Sequence, residues 1–451
     1  MKIHKVNVHG LHGFLEPSVT FDGDLAIVVG VNGAGKTSVL NLVAHLLRLN
    51  IYEVARISFS NVVISGVVEH DEFVLSVERA GESLRFRLEY RNESFAELGL
   101  VLPDVEDVDI DGRQSRYALD RIFRRIYDSI AGSPIAEFLR SNVRLSLVRL
   151  DRSLFAEDAE GGVAVDAPGV RRGEQLSDPI ERVERVTRDR YNKYRVESKK
   201  NIDLLTREVV LQLFKTPKHM FSPSAKSSQK LSQGQIRGLK NRVFRLPYFR
   251  GYGDSESLVN EYFDLAMGAA DEAKRSGKGK QSGELQDFLE TLFKDFEFPR
   301  INGLVRAFDD FETADAAARA ELDRFEGVLN SFLVESGKEV FFSEREASLR
   351  FRLKGSADES GRPIGQLSSG EKQIVTMLTY LAFLTGEESI FVVDEPELSL
   401  HLAWQMKLVD ALLELRPAGS QLILATHSPE IVGLHRSAVV RLVPDYAPGV
   451  Q

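Results

Sequence analysis

The stretch LAIVVGVNGAGKT, residues 25–37, joins a continuously apolar segment to a glycine-rich turn. Five consecutive apolar residues are typical of a strand buried on both faces. Residues 30–37 then fit the pattern G-x-x-x-x-G-K-[ST], and the residues after Thr37 place apolar side chains at helical spacing. In a strand–turn–helix unit, the backbone N–H groups of the turn and the helix N-terminus can hold phosphate oxygens. We therefore predict a phosphate-binding loop at this position.

Two side chains of this loop have predicted roles toward a nucleoside triphosphate and its metal ion. Lys36 is expected to neutralise charge on the β- and γ-phosphates, and the Thr37 hydroxyl is expected to bind Mg²⁺. ATP and Mg²⁺ are therefore the expected ligands. The predicted nucleotide-binding residues of the loop are Asn32, Gly33, Gly35, Lys36, Thr37 and Ser38.

A second motif, SIFVVDE at residues 389–395, predicts a buried strand that ends in two carboxylates. Such a strand delivers its last residues to the carboxyl edge of an open α/β sheet, where ligands bind. Asp394 is expected to hold the magnesium ion, directly or through water. Glu395 is expected to orient or deprotonate the attacking water. Apolar strands that end in acidic residues are common, so the prediction depends on the pairing with the phosphate loop.

Three further motifs carry a family resemblance. LSSGE at residues 367–371 resembles the signature of ABC-type ATPases, and PELSLH at residues 396–401 resembles their D-loop. QLILATHS at residues 421–428 contains His427, which resembles the switch histidine that contacts the γ-phosphate. The resemblance implies the α/β fold of an ABC-type ATPase head, a P-loop NTPase with a mixed sheet and helices. It also implies Glu395 and His427 as the catalytic residues.

The same resemblance implies a site shared between two copies of the chain. Ser368 and Gly370, at a helix N-terminus, would meet the γ-phosphate held by the facing subunit. One phosphate loop and one signature per chain imply a homodimer or a higher even assembly through the ATPase heads. SQGQ at residues 232–235 also mimics the signature, but no acidic strand follows it. We interpret that segment as a loop.

The sequence departs from the family pattern at two points. The family's Q-loop glutamine follows an inner strand, but Asp151 and Arg152 stand after the strand-like residues 142–150. Gln114 and Gln175 are alternatives in loop-like sequence, and the Q-loop residue stays unassigned. His401 stands where many relatives have the D-loop aspartate.

Composition and patterning predict a globular chain with a split head. The chain has 451 residues, 43% of them hydrophobic and 28% charged, and no cysteine, which excludes disulfides and thiol catalysis. No signal-like segment is evident at the N-terminus and the apolar segment at 374–384 is too short to span a bilayer, so we expect a cytoplasmic protein without membrane contact. The predicted domains are an N-terminal head lobe (1–150), a mainly helical insertion with mobile loops (151–337) and a C-terminal head lobe (338–451).

The spacing of the motifs favours one branch of the family. The phosphate loop ends at residue 37 and the signature begins at residue 367, a much wider separation than in transporter subunits. This layout resembles the RecF/SMC/OLD branch, and the short segment after His427 predicts that the Toprim nuclease domain of OLD-type nucleases is absent. LSSGEKQ, DEPELSLH, Trp404-Gln405 and THSPE together are similar to ATPase subunits of prokaryotic anti-phage defence systems. The PARIS type is the first resemblance and the Septu type the next; in both, a separate protein supplies the toxic nuclease.

A basic segment interrupts an otherwise acidic chain. From Arg182 to Arg250 there are 18 Lys and Arg against 5 Asp and Glu, whereas the whole chain has a net charge of −9. One interpretation is an ordinary solvated helix surface. The other is a docking surface for DNA, tRNA, an acidic viral protein or an acidic partner subunit.

The sequence therefore supports three hypotheses of function. The leading one is an ATP-gated sensor and scaffold in anti-phage defence, which controls a separate effector such as a nuclease. The main alternative is a DNA-repair ATPase of the RecF or SMC-like kind. The third is a structural ATP-binding scaffold in which hydrolysis is too slow to matter.

Overall fold

The computed structural model describes residues 1–103, 113–149, 165–166, 179–214, 233–245, 257, 259–264, 297–356, 358, 360–443 and 445–446. Its strands are β1 (Lys2–His9), β2 (Ser18–Thr20), β3 (Leu25–Val29), β4 (Asn61–Val68), β5 (Asp71–Ala80), β6 (Ser83–Tyr90), β7 (Glu93–Ser94), β8 (Leu98–Val101), β9 (Leu145–Arg149), β10 (Val165–Asp166), β11 (Lys338–Ser343), β12 (Ser348–Leu353), β13 (Arg362–Pro363), β14 (Ile390–Asp394), β15 (Gln421–Ala425) and β16 (Val439–Arg441). The helices with defined bounds are α1 (Lys36–Leu47), α2 (Ile51–Ala55), α3 (Arg113–Ile130), α4 (Pro134–Asn142), α5 (Pro179–Phe214), α6 (Gln233–Arg245), α7 (Phe298–Leu333), α8 (Ser369–Thr379), α9 (Leu402–Leu415) and α10 (Pro429–Val432).

The strand before the phosphate loop belongs to a mixed sheet with the order β10-β9-β14-β15-β3-β16. Neighbouring strands in the series β9, β14, β15, β3 and β16 are parallel, whereas β10 pairs antiparallel with β9. Every residue of β14 and β15 is buried, as predicted for strands covered on both faces. In the register, Asp394 lies beside Ala425, and Ala425 lies beside Val28. The loops after β3, β14 and β15 therefore leave the sheet at the same edge.

A second sheet is antiparallel, with the order β2-β1-β4-β5-β6-β7 and with β8 also paired to β6. Residues 61–90 alternate between apolar and polar side chains, a pattern typical of antiparallel strands, and they form β4, β5 and β6 of this sheet. Its buried side chains join those of α1 and one face of the mixed sheet in a large apolar cluster. Gln421 links the two sheets, because its side-chain amide accepts from the Ile3 N–H at 2.9 Å and donates to the Ile3 carbonyl at 2.8 Å.

The strand-like sequence at residues 338–353 forms β11 and β12, which join β13 in an antiparallel sheet. The apolar segment that follows is α8, and it continues as a π-helical turn at Tyr380–Leu384. Most of its apolar side chains are fully buried, so this segment is part of the core. Within the described ranges, no helix has both the length and the apolarity that crossing a membrane requires.

The chain divides into two compact units. The first comprises Met1–Tyr191 with Asp323–Gln451 and contains the three sheets. The second comprises Asn192–Leu322, in which α6 and α7 contribute to an apolar cluster of Ile236, Leu239, Val243, Phe263 and Val305. In the same unit the Tyr194 hydroxyl donates to Asp315 at 3.4 Å. The domain boundaries predicted at residues 150 and 337 stay a prediction.

Three local expectations need correction, and others concern residues outside the description. The loop predicted at residues 232–235 is wrong for Gln233 onward, because α6 begins there and its apolar side chains recur at helical spacing and are buried. Gln114 lies in α3, not in a loop. Within the predicted insertion, residues 165–166 form β10, which extends the mixed sheet. Gln175, Asp151 and Arg152 lie outside the described residues.

Candidate nucleotide-binding and catalytic site

The phosphate loop turns through two glycines with left-handed backbone. Gly33 has φ of 82° and Gly35 has φ of 86°, which residues with a Cβ rarely adopt. Gly35 immediately precedes α1, and no side chain caps the helix N-terminus. Asn32, Gly33 and Thr37 are exposed around this turn. The first N–H groups of α1 are therefore open to an anion from outside the chain.

The Lys36 side chain lies folded into the loop and is only 5% exposed. Its Nζ lies 3.0 Å from the Gly30 carbonyl oxygen and 2.7 Å from Nε2 of His427. Burial lowers the pKa of Lys36, while the nearby carboxylates of Glu395, Asp394 and Glu397 act to raise it. The ammonium is thus held where the loop would receive phosphate, by contacts that a more negative ligand can replace.

The Thr37 hydroxyl donates to Oδ1 of Asp394 at 3.1 Å. Asp394 ends β14 and is only 7% exposed. Mg²⁺ prefers oxygen ligands and is commonly held by one or two carboxylates together with substrate phosphates and water. The Thr37 hydroxyl and the Asp394 carboxylate fit that donor set.

Glu395 follows Asp394 with an unusual backbone conformation. Its φ is 47°, in the left-handed region. Its N–H donates to the Ala425 carbonyl at 2.9 Å, and its own carbonyl accepts from the Leu398 N–H at 3.2 Å. Non-glycine residues in this region concentrate at functional sites, where the surrounding structure enforces them. The chain therefore turns sharply at Glu395, directly after the predicted metal ligand.

The loop after β15 holds His427 through its neighbours. The His427 N–H donates to Oε1 of Glu397 at 2.6 Å, and the Thr426 hydroxyl donates to Oε2 of Glu397 at 2.8 Å. Ser428 then caps α10, accepting from the Glu430 and Ile431 N–H groups. The imidazole of His427 is left to contact Lys36.

The signature-like segment forms the beginning of α8. Ser368 is its N-cap and makes a capping box with Glu371, whose carboxylate also accepts from Lys338 Nζ at 2.8 and 2.9 Å. Burial acts to raise the pKa of Glu371, but the hydrogen bonds from Lys338 and the Ser368 N–H outweigh it and hold that pKa below its ordinary value. Leu367 and Glu371 are buried, whereas Ser368 and Ser369 are exposed. Ser368 and Ser369, here called the serine tip, are thus exposed to solvent, while the buried residues on either side hold the beginning of the helix in place.

The structure brings together Lys36, Thr37, Asp394 and His427 at one edge of the mixed sheet. Ser38 adjoins them on α1, and its hydroxyl lies 2.8 Å from His12 Nε2. The Ser368 N–H donates to the Glu371 carboxylate. Gly370 lies close to the Ser399 carbonyl and the Trp404 ring. His401, in the D-loop position, is the N-cap of α9, where its Nδ1 accepts from the Ala403 N–H.

Sequence reasoning missed three contacts of this site. Glu397 lies in the segment that resembles a D-loop. Its hydrogen bond to the loop after β15, here called the switch loop (residues 426–428), joins residues 30 apart, and no local pattern predicts it. His12 belongs to none of the motifs, and its contact with Ser38 likewise depends on tertiary structure. Lys338 was also missed. The sequence does show a capping box, because Glu371 stands three residues after Ser368, but nothing in it indicates that Lys338 pairs with Glu371.

Comparison with known proteins finds similarity over part of the chain. Residues 224–433 match a family model described as "AAA domain, putative AbiEii toxin, Type IV TA system". That range includes the signature-like tip, the acidic strand and His427, and it lacks the phosphate loop. The fold described above is a mixed α/β fold, and the matched range covers less than half of the chain.

Two further comparisons concern a short segment of the chain and a distant solved structure. Over 72 residues, 16% of the chain, it is 36% identical to UvrABC system protein A of Micrococcus luteus, and the match spans only 7% of that relative's length. A crystal structure of the SmcHead bound to the C-winged helix domain of ScpA aligns over 99% of this chain and 97% of its own, with 12% identity and a TM-score of 0.37. That likeness is too distant to add to the topology described above.

Proposed function

We propose that this ATPase head binds and hydrolyses ATP with Mg²⁺, and that it acts as an ATP-gated sensor and scaffold controlling a separate effector in anti-phage defence. The observation that carries the enzymatic part is the meeting of Lys36, Thr37, Asp394 and His427 at the carboxyl edge of the mixed sheet. A cationic side chain, an open helix N-terminus and an oxygen pair for a metal are the requirements of triphosphate binding.

Each residue of the proposed site has a distinct task. Lys36 would exchange the Gly30 carbonyl and His427 for β- and γ-phosphate oxygens, which bear more negative charge than either. Thr37 and Asp394 would hold Mg²⁺, which would supply charge neutralisation at those oxygens. Glu395 would orient or deprotonate the attacking water, and His427, released from Lys36, would contact the γ-phosphate.

The exposed serine tip supports the proposal that two heads complete each site. Ser368 and Ser369 are exposed at the N-terminus of α8, where helix N–H groups attract anions. Apolar side chains are also exposed beside the motifs: Val31 in the phosphate loop is 63% exposed, and Leu402 and Met406 on α9 are 53% and 64% exposed. Burial of such side chains against a second copy would favour pairing.

The defence role rests on the motif resemblance and on one further finding. The family model that matches residues 224–433 names a toxin of a toxin–antitoxin system. A head that changes state with ATP could hold an effector and release it on a signal, because ATP would bind the closed pair preferentially. The nuclease, the acidic viral protein and the site of their binding are proposals within this role.

A DNA-repair ATPase is the second candidate function. It is favoured by the exposed basic residues of α5, among them Lys193, Lys199 and Arg207. This candidate predicts that duplex or gapped DNA stimulates turnover, with a steep dependence on salt. A sensor that responds to protein predicts little stimulation by DNA.

The test compares purified full-length protein with its Glu395→Gln variant. The proposal predicts Mg²⁺-dependent ATP hydrolysis by the wild type and a loss of about 100-fold or more in the variant, since general-base catalysis contributes that much. The variant should still bind ATP and accumulate as a dimer on gel filtration. Glu414→Gln, an exposed carboxylate on α9, is the matched control and should hydrolyse normally. Absence of turnover in the wild type would instead support a structural ATP-binding scaffold.

A further inference from the structure

We propose that Glu397 is a positioning residue for ATP hydrolysis, which fixes the switch loop so that His427 faces the nucleotide. The inference rests on the proposed function. Glu397 itself contacts neither the phosphate loop nor the predicted metal ligands by any recorded hydrogen bond within the described residues. Its effect would be exerted through the backbone of His427 and the side chain of Thr426.

Both carboxylate oxygens of Glu397 are used by the loop after β15. Oε1 accepts from the His427 N–H at 2.6 Å, and Oε2 accepts from the Thr426 hydroxyl at 2.8 Å. Thr426 is fully buried, and its hydroxyl oxygen also accepts from the Ser428 N–H at 2.9 Å. A single side chain therefore sets the backbone on both sides of His427.

The chemistry of these contacts requires a carboxylate. Both groups that face Glu397 are donors, and an ionised carboxylate is the side chain that offers two acceptor oxygens without a competing donor. Hydrogen bonds to a charged acceptor are stronger than those between neutral groups. Loss of the side chain would leave the buried Thr426 hydroxyl and the His427 N–H without these acceptors, so the loop would have to move to satisfy them.

A second contact holds the same two loops together. Ser428 Oγ donates to Oε1 of Gln405 at 2.7 Å, while Nε2 of Gln405 donates to the Leu400 carbonyl at 3.0 Å. The loop that contains Glu397 is in turn attached to α8, because the Gln373 side-chain amide donates to the Leu398 carbonyl. The segment carrying Glu397 thus connects α8 to the switch loop. A displacement of α8 can therefore reach His427 through this segment.

The test measures ATP turnover and ATP affinity separately in the full-length chain. Glu397→Ala should lower kcat by about 10- to 100-fold, the equivalent of one or two hydrogen bonds to a charged group, and should change the Kd for ATP by less than about threefold. Glu397→Gln keeps one acceptor oxygen and should lose less. Glu335→Gln removes an exposed carboxylate that pairs only at the surface with Lys407, and should behave as the wild type.

A double-mutant cycle with His427→Ala separates positioning from a general brace. If Glu397 acts through His427, Glu397→Ala in the His427→Ala background should lower kcat by less than about threefold further. The inference is wrong if the kcat loss of the double variant equals the product of the two single-variant losses. It is also wrong if Glu397→Ala loses ATP binding together with kcat. If the alanine variant does not fold, the same cycle with Glu397→Gln decides the question. A wild type without turnover refutes the proposed function instead, and that result is distinct from an active wild type with insensitive Glu397 variants.

Discussion

Replacing Glu371 with glutamine removes the negative charge shared by Lys338 and the Ser368 N–H at the beginning of α8. In the native chain both carboxylate oxygens accept from Lys338 Nζ, and Oε2 also accepts from the Ser368 N–H at 2.8 Å. The Glu371 side chain is 3% exposed, and that of Lys338 is 23% exposed. The substitution keeps the shape and one acceptor oxygen, so its effect measures the charge.

The expected loss of stability follows from these contacts. Hydrogen bonds to charged groups contribute about 1.5–3 kcal/mol each, and removal of one partner leaves the other desolvated. Lys338 can partly return to water because it is half-buried, which places the expected loss near the lower end, about 2 kcal/mol. Glu346→Gln is the control: Glu346 is 43% exposed and lies 4.0 Å from Arg350, so the expected loss is below about 0.5 kcal/mol.

The pH dependence gives the prediction a second, independent outcome. Because the folded pKa of Glu371 is depressed, its ionised form contributes stability above the unfolded pKa, and this contribution is lost as the pH falls through the folded pKa. The difference between wild type and Glu371→Gln should therefore be full at pH 7 and should shrink at pH values below about 4.

Urea unfolding of both proteins across this pH range, followed by circular dichroism, measures the difference. A loss below about 0.5 kcal/mol at pH 7 would refute the role assigned to the Glu371–Lys338 pair. A difference that stays constant down to acid pH would refute the assignment of the effect to charge.

Two other substitutions test the phosphate loop and the packing of the signature tip. Lys36→Ala should abolish ATP binding but change the unfolding free energy of the nucleotide-free protein by less than about 1 kcal/mol, because the buried ammonium is costly to desolvate; the stabilisation by ATP, about 2.7 kcal/mol at 100 times Kd, should disappear from thermal unfolding curves. Gly370→Ala would place a Cβ 2.8 Å from the Ser399 carbonyl oxygen, a backbone atom that cannot rotate away, so we expect a loss of about 1–3 kcal/mol in urea unfolding. Retained stability in Gly370→Ala would contradict the close approach of α8 to the loop after β14.

Patterns within short stretches of the sequence were enough to predict several strands and the residues of the phosphate loop. The apolar runs before Gly30 and Asp394 predicted strands buried on both faces, because period and composition decide burial along a single element. The glycine turn and the acids that end β14 were recognised for the same reason: their chemistry lies within a few consecutive residues. The alternating pattern at residues 61–90 likewise sufficed for the antiparallel strands.

Tertiary structure alone decided which of these elements meet. The order of the mixed sheet puts β15 between β14 and β3, and this neighbourhood brings His427 to Lys36 across 391 residues of sequence. The roles of Glu397 and Lys338 also depend on such contacts, since each bonds a group in another element. Residues 233–235 were misread as a loop because their turn-like composition concealed the apolar spacing that follows. Hydrogen bonds and buried charges act through space over a few ångströms, so the sequence fixes what each residue can donate or accept, and the fold decides what is there to receive it.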